Sequence, residues 1–494
     1  MVRARRAGRW LACRGWLAMA CVSMLGFSGL DVSVLHAQQA PSAPERVWHS
    51  NAAEELAREL KAQPEVKYPV EAAKRYSLAE LVDLAEQHNP ETRVAWETAK
   101  ARAASLGIAR SAWYPTITAV ALGATLRTAT LIGEYFHRQT EGVFEPTLHV
   151  EYLIFDFGGR KGAVDAAKAN LLAADLNFND VHRKIIFAVA SAYYKLLNAR
   201  GQLDAAEVSL KNAQTVEEDA KNRLDNGLGT KPDLLEATAA RTQADYDLQA
   251  AQGAEQIARG ELATAMGLPA ETVLDVAPIE DVTLPRAMAD SVQEEIDRAF
   301  AQRPELLEQV TRLRAAKAEM EQARSTYVPT ISFSGDGGLA RAYGQQDLYP
   351  GSYAQGEVWT VGVQARWTLF DGLKREHQVA QAKADEKTAK AEIDALRDEL
   401  GNEVWAAYTN MQTALRQQAA AAALLEAANA SYDSARASYG YGVRNLIDVV
   451  SAQKALAQAR SEDVYARTQL MLQSANLAFR TGDLIQAQPV KGTP

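Results

Sequence analysis

The residues that invite a chemical reading lead nowhere catalytic. Asp156-Phe157-Gly158 has the spelling of a kinase metal-binding triplet, in which the Asp would hold Mg2+. That chemistry also needs a glycine-rich loop over the phosphates and a catalytic loop supplying a base, and the sequence has neither. The seven His residues are scattered without ligand spacing, and there is no phosphate loop or nucleophile elbow. Tyr193 and Tyr408 occupy equivalent helix positions 215 residues apart, which suits packing rather than a site. The expectation is a protein that is not an enzyme and carries no cofactor or metal.

The elements that would position any side chain are organised around Leu153-Ile154-Phe155-Asp156-Phe157-Gly158-Gly159, where an alternating strand runs into a very long helix. Thr368-Leu369-Phe370-Asp371-Gly372 repeats the arrangement. Arg303-Pro304-Glu305 answers Asn89-Pro90-Glu91 at an offset of 214, as Tyr327-Val328-Pro329-Thr330-Ile331 answers Trp113-Tyr114-Pro115-Thr116-Ile117. Gly227 pairs with Gly442, and Gly267 with Gly482, at 215. The chain is one unit written twice.

Each unit reads as helix, strand, strand, long helix and returning helix. Ser77 and Glu80 form a capping box that opens a helix over 77–88. Pro90 starts the next helix at the position proline tolerates best. Strands are expected at 116–126 and 144–155, with 127–143 as a loop, and again at 329–340 and 357–369. Between 159 and 225 no Pro interrupts the pattern, so one helix of about 100 Å is expected. Its apolar stripes, one through Leu171, Phe178 and Ile185 and one through Val189, Tyr193 and Leu196, imply a helix packed on both flanks.

Composition narrows the setting. Arg3, Arg5, Arg6, Arg9 and Arg14 precede a short apolar run, and Leu35-His36-Ala37 offers a cleavage site, so 1–37 reads as an export signal. The rival is lipidation at Cys21. Cleavage would remove both cysteines, and with them five Arg and one Asp, taking the formal charge from −9 to −13. An acidic exported protein is a poor nucleic-acid binder. The mature chain has no run of 18 apolar residues, so any membrane crossing must be made by strands. The expected divisions are a mobile leader at 38–76, a first repeat at 77–267, a connector at 268–290, a second repeat at 291–485 and a tail at 486–494.

The four strands are long enough to cross an outer membrane. The fourth alternates plainly, with Trp359, Val361, Val363, Ala365 and Trp367 on one face and Thr360, Gln364 and Arg366 on the other. Four strands cannot close a barrel, and open edges are not tolerated in lipid, so several chains must combine. Phe155, Phe157, Trp367 and Phe370, at the strand–helix junctions, suit a membrane-interface girdle.

With the duplicated order, the Tyr-Pro-Thr-Ile strand starts, the Phe-Asp strand exits and the two glycine tips, the sequence resembles the TolC-like outer-membrane efflux proteins over about 77–485. The resemblance implies a mainly α fold with a membrane β-barrel: a homotrimer whose twelve-stranded barrel continues as an α-helical barrel across the periplasm. It also implies a passive duct in the outer membrane of a Gram-negative bacterium. The duct would serve drug efflux or type I secretion and work with a periplasmic adaptor and an inner-membrane transporter of RND or ABC type. The rival readings are a periplasmic adaptor or a structural coiled-coil envelope protein.

The resemblance assigns roles at the tips. Arg223, Gly227 and Leu228 match the first adaptor-docking turn. Gly442 and Val443 form the second, where Ser438 stands for the family's Arg and Val443 for its Leu. Asp233, Tyr439, Arg444 and Asp448 match the links that close the periplasmic end. Asp448 would also form an acidic ring, weakened by Ser451 where a second ring residue is expected.

Overall fold

A computed structural model describes residues 45, 51–62, 70, 74–277, 284–285, 291–346 and 349–484. The expected signal, Cys21 and the 486–494 tail lie outside the described residues. The chain divides into two units, 1–69 and 70–494. The first contains helix α1 (Asn51–Lys61).

The second unit follows the duplication closely. Its first half runs β1 (Arg75–Tyr76), α2 (Leu78–His88), α3 (Pro90–Ser111), β2 (Thr116–Ile132), β3 (Tyr135–Phe155), α4 (Gly159–Asp225) and α5 (Lys231–Ala265). Its second half runs β4 (Asp275–Val276), α6 (Val292–Gln302), α7 (Pro304–Ser325), β5 (Thr330–Gln346), β6 (Tyr349–Arg366), α8 (Lys374–Gly440) and α9 (Leu446–Thr481). The two long helices each have 67 residues, and α3 and α7 each have 22. Among the described residues no helix is long and apolar enough to cross a membrane.

Local chemistry sets the boundaries. The Ser77–Glu80 capping box forms, with Ser77 N–H donating to Glu80 Oε2 at 2.9 Å. Asn89 caps α3, its Oδ1 accepting from Glu91 N–H at 2.8 Å, and Pro90 takes the first turn, where its missing N–H costs nothing. Asp156 Oδ2 accepts from Arg160 N–H at the start of α4, and Asp371 Oδ2 accepts from Arg375 N–H at the start of α8. The Phe-Asp exits are therefore helix starts in which a carboxylate meets the positive end of the helix dipole. Each Asp also pairs with the guanidinium four residues on, which reaches back to the carbonyl of Ile154 or Leu369.

α4 packs against α3 and α5 and against α7 and α9 of the other repeat, as its two stripes require. Ile185, Val189, Tyr193 and Leu196 are all buried. Close approach depends on small residues: a Cβ on Gly201 would lie 2.5 Å from Val464 Cγ1 of α9.

Two expectations are corrected. The segment 127–143 is not a loop: β2 and β3 pair continuously from Thr116↔Glu151 to Ile132↔Tyr135, leaving only a tight turn with Gly133 at φ +67°. β5 and β6 extend likewise beyond 340 and before 357, while the fourth strand ends at Arg366, not 369. In the hairpin arms Thr125, Arg127, Arg138 and Thr140 interrupt the apolar face, so the hydrophobic pattern breaks before the hydrogen-bond ladder does. The leader also does not run free to 76. Arg75 and Tyr76 pair in parallel with Asp275 and Val276, and Tyr76 is buried.

A buried ionic cluster joins the repeats. Arg183 of α4, 1% exposed, bonds Asp180 Oδ1 at 2.7 Å, Glu305 of α7 and the carbonyl of Phe479 of α9. Arg303 and Arg480 both hold Glu403 of α8, at 2.7 and 2.6 Å. Burial alone would raise the Glu305 carboxyl, but hydrogen bonds from Arg303 and the charge of Arg183 outweigh it and hold it at about 2.

Candidate functional site

The sheet has the order β2-β3-β5-β6, antiparallel throughout. Directly paired residues share a face, so the register assigns every side chain. One face collects Ile117, Ala119 and Ala121 from β2; Phe144, Leu148 and Val150 from β3; Phe333 and Leu339 from β5; and Trp359, Val361 and Val363 from β6. Trp359, Val361 and Ile117 are more than half exposed, so this apolar face lacks a covering layer within the chain. The opposite face carries Thr116 and Thr118, Glu145, His149 and Glu151, Ser334 and Asp336, and Thr360 and Gln364. The alternation seen in the fourth strand holds in β3 and β5, whereas β2 also sets Val120, Leu122 and Leu126 on the opposite face.

On the polar face His149 Nδ1 lies 2.6 Å from Asp336 Oδ1, tying β3 to β5 across the junction between repeats. The sequence places His149 on this face, but its partner lies 187 residues away and only strand pairing reveals it.

The four expected interface aromatics gather at the strand–helix junctions. Phe155 ends β3 and meets Phe157 edge-on with centroids 4.5 Å apart. Trp367 follows β6 and donates its Nε1–H to the Tyr327 carbonyl at 3.1 Å, and Phe370 is exposed. Phe157 adopts φ +51°, which sets up the turn into α4.

The two tips are alike in backbone. At the end of α4, Gly227 (φ +72°) donates to the Leu224 carbonyl and Leu228 to the Arg223 carbonyl. At the end of α8, Gly442 (φ +74°) donates to Tyr439 and Val443 to Ser438. Both are Schellman closures, in which a left-handed glycine satisfies the final carbonyls. The residue after each glycine, Leu228 at 73% and Val443 at 79% exposure, points into solvent instead of packing back on its helix.

The side chains divide differently from the expected closing set. Arg223 crosses from α4 to α8, donating to the Tyr439 carbonyl at 2.8 Å and lying 4.6 Å from that ring's centroid. Tyr439 is buried, and burial raises its phenol above the usual range despite Arg223 beside it. Asp233 does not reach Arg444: it closes the capping box of α5, accepting from Thr230 N–H at 3.1 Å and Oγ1–H at 2.7 Å. Asp448 lies exposed in the first turn of α9, its N–H donating to Asn445 Oδ1 at 2.9 Å. Among the described residues Arg444 makes no ion pair. The single chain therefore joins Arg223 to Tyr439, and leaves Arg444 and Asp448 facing outward. Beside this join a cleft of about 560 Å³ is lined by Asp219, Asn222, Arg223, Arg436, Tyr439 and Gly440.

A two-faced antiparallel sheet set on long paired helices that end in glycine turns defines an outer-membrane channel protein. The family model described as outer membrane efflux protein matches residues 81–268 and 296–483, and the chain belongs to that family. Protein CyaE of Bordetella pertussis is 29% identical over 98% of this chain and 97% of its own length. The alkaline protease secretion protein AprF of Pseudomonas aeruginosa is 26% identical over 72% of this chain and 73% of its own. The structure of the outer-membrane channel OprN matches with a TM-score of 0.73 at 20% identity, covering 84% of this chain and 94% of that one.

Proposed function

We propose that three copies of this chain close a twelve-stranded barrel in the outer membrane and a helical duct below it. The duct would passively carry substrates delivered by a periplasmic adaptor and an inner-membrane transporter of RND or ABC type. The observation that carries the reading is the pair of open edges: β2 and β6 each have one unpaired side. A sheet edge cannot face hydrocarbon, so β6 of one copy must pair with β2 of the next. Strand directions alternate through that join, and twelve strands leave a water-filled bore.

At the tip, Arg444 and Asp448 face outward, where they can pair with neighbouring copies, while Tyr439 is held within the chain. Charge-assisted links of this kind are directional and breakable, which suits a gate. The exposed Leu228 and Val443, with Gly227, Gly442 and Arg223, are proposed to dock the adaptor. Both outcomes of transport, small-molecule efflux and type I protein secretion, use this architecture. The relative named for alkaline protease secretion supports the second. Family membership disfavours an adaptor or a structural coiled coil.

The test is light-scattering mass in detergent with single-channel conductance of the mature protein and an Arg444→Ser variant. A trimer with small steps that enlarge in the variant is expected. A monomer that does not conduct overturns the duct, and equal steps in both proteins remove Arg444 from the gate.

A further inference from the structure

The duplication preserves one charged residue where a membrane strand should not carry one. Arg127 lies ten residues after Ile117 on β2, and Arg341 lies ten residues after Ile331 on β5. The two isoleucines are repeat equivalents at an offset of 214, and so are the two arginines. Arg127 pairs with Thr140 and Arg341 with Phe144, which places both on the apolar face that holds Ile117 and Val361. Both arginines are exposed, and among the described residues neither makes an ion pair. Arg138, paired with Ala129, adds a third cation to the same face.

Their height is fixed by geometry. Ten residues at about 3.4 Å each, tilted about 45°, climb roughly 24 Å, which is the height of the apolar band of such a barrel. Arg127 and Arg341 therefore stand at the outer edge of the band if Ile117 and Ile331 stand at its inner edge. Tyr343 and Tyr353, with ring centroids 5.1 Å apart, lie on this face one row beyond Arg341, as an outer aromatic girdle would. The strands also sort charge by face. Glu141, Glu145, Glu151 and Asp336 all lie on the polar face, whereas on the apolar face of these strands the one acid is Glu357. A guanidinium facing hydrocarbon is costly, and the cost disappears where it meets a phosphate that it can bind with two parallel hydrogen bonds.

We infer that Arg127 and Arg341 form a ring, six in the trimer, that binds phosphate-bearing lipid headgroups of the outer leaflet. The inference rests on the barrel reading above. The ring fixes the depth of the barrel, and Arg138 extends it on the β2–β3 hairpin.

The test uses the full-length mature protein purified in neutral detergent, its thermal midpoint followed on addition of lipid A or of inorganic phosphate. Lipid A should raise the midpoint of the wild type. An Arg127→Gln/Arg341→Gln variant should need at least about tenfold more lipid A for the same rise, because each lost contact is a charge-assisted hydrogen bond. An Arg127→Lys/Arg341→Lys variant should recover part of the response. Equal responses of wild type and the Gln variant overturn the inference, as does an equal rise with inorganic phosphate. Conductance in a phosphatidylcholine bilayer separates the two readings. Wild-type steps kept by the Gln variant leave the barrel intact and assign the lost response to the arginines, whereas a wild type that never conducts refutes the barrel itself.

Discussion

Arg223 and Tyr439 join the two long helices at their ends: the guanidinium donates to the Tyr439 carbonyl at 2.8 Å and lies 4.6 Å from the ring centroid. Arg223 thereby offsets the negative end of the α8 dipole and seats a buried phenol. Under the proposed docking, a partner that takes hold of Arg223 from outside would loosen this join, so docking and opening would share one residue. Arg223→Ala should remove about 2–4 kcal/mol of local stability from the tip, the sum of a cation–π contact and a charge-assisted hydrogen bond. Larger single-channel steps and faster amide exchange over 436–446 are expected. Unchanged exchange there would show that the join carries no load.

The tip glycines respond for a backbone reason. Gly227→Ala and Gly442→Ala place a Cβ at φ +72° and +74°, a conformation costing about 1–2 kcal/mol for an L-residue. Nothing lies within 4 Å of a Cβ at Gly227, so the effect there is conformational and not steric. Limited proteolysis should cut each variant at its own tip faster than the wild type, with global melting little changed.

Acid should weaken the contact between repeats. The Glu305 carboxyl titrates near 2 in the folded chain against an ordinary value of 4.5, so the folded state favours the ion. Its contribution is fully present above pH about 4.5 and is lost as pH falls toward 2. Glu305→Gln should lower the thermal midpoint at pH 7 and flatten its decline between pH 4.5 and 2. An unchanged decline would place the acid sensitivity elsewhere.

The two faces of β6 should respond oppositely to charge. Val361→Arg sets a cation on the apolar face and should cost about 2–4 kcal/mol of insertion if that level is mid-bilayer. Thr360→Arg, its neighbour on the polar face, should insert normally and shift the reversal potential toward anions. Heat-resistant trimer on a gel reports the first and bilayer recording the second; the reverse result would invert the barrel.

Much of this protein was legible in order along the chain. Repeated Pro and Gly positions located the duplication, the absence of Pro allowed the full length of α4 while Gly158-Gly159 and Asn226-Gly227 marked its ends, and alternation at 359–367 identified a two-faced strand, because these signals are local to the backbone or to one element. The hairpin arms were not legible, since 127–143 keeps its ladder after the apolar alternation has ended, and a hydrogen bond leaves no mark in side-chain type. The tip shows the same divide. The family resemblance, matched at positions counted from Gly227 and Gly442, singled out Arg223, Asp233, Tyr439, Arg444 and Asp448, but only the packing of α4 on α8 decided that Arg223 holds Tyr439 while Asp233 caps its own helix. His149 and Asp336, Arg183 and Glu305, and the shared face of Arg127 and Arg341 likewise depend on strand register and helix contacts across 122–214 residues of chain. The sequence alone settled which long helices form and where they end, through propensity, capping and period, but not how far the strands extend. Tertiary structure settled which charges meet, because a charge takes whichever partner the fold brings within reach.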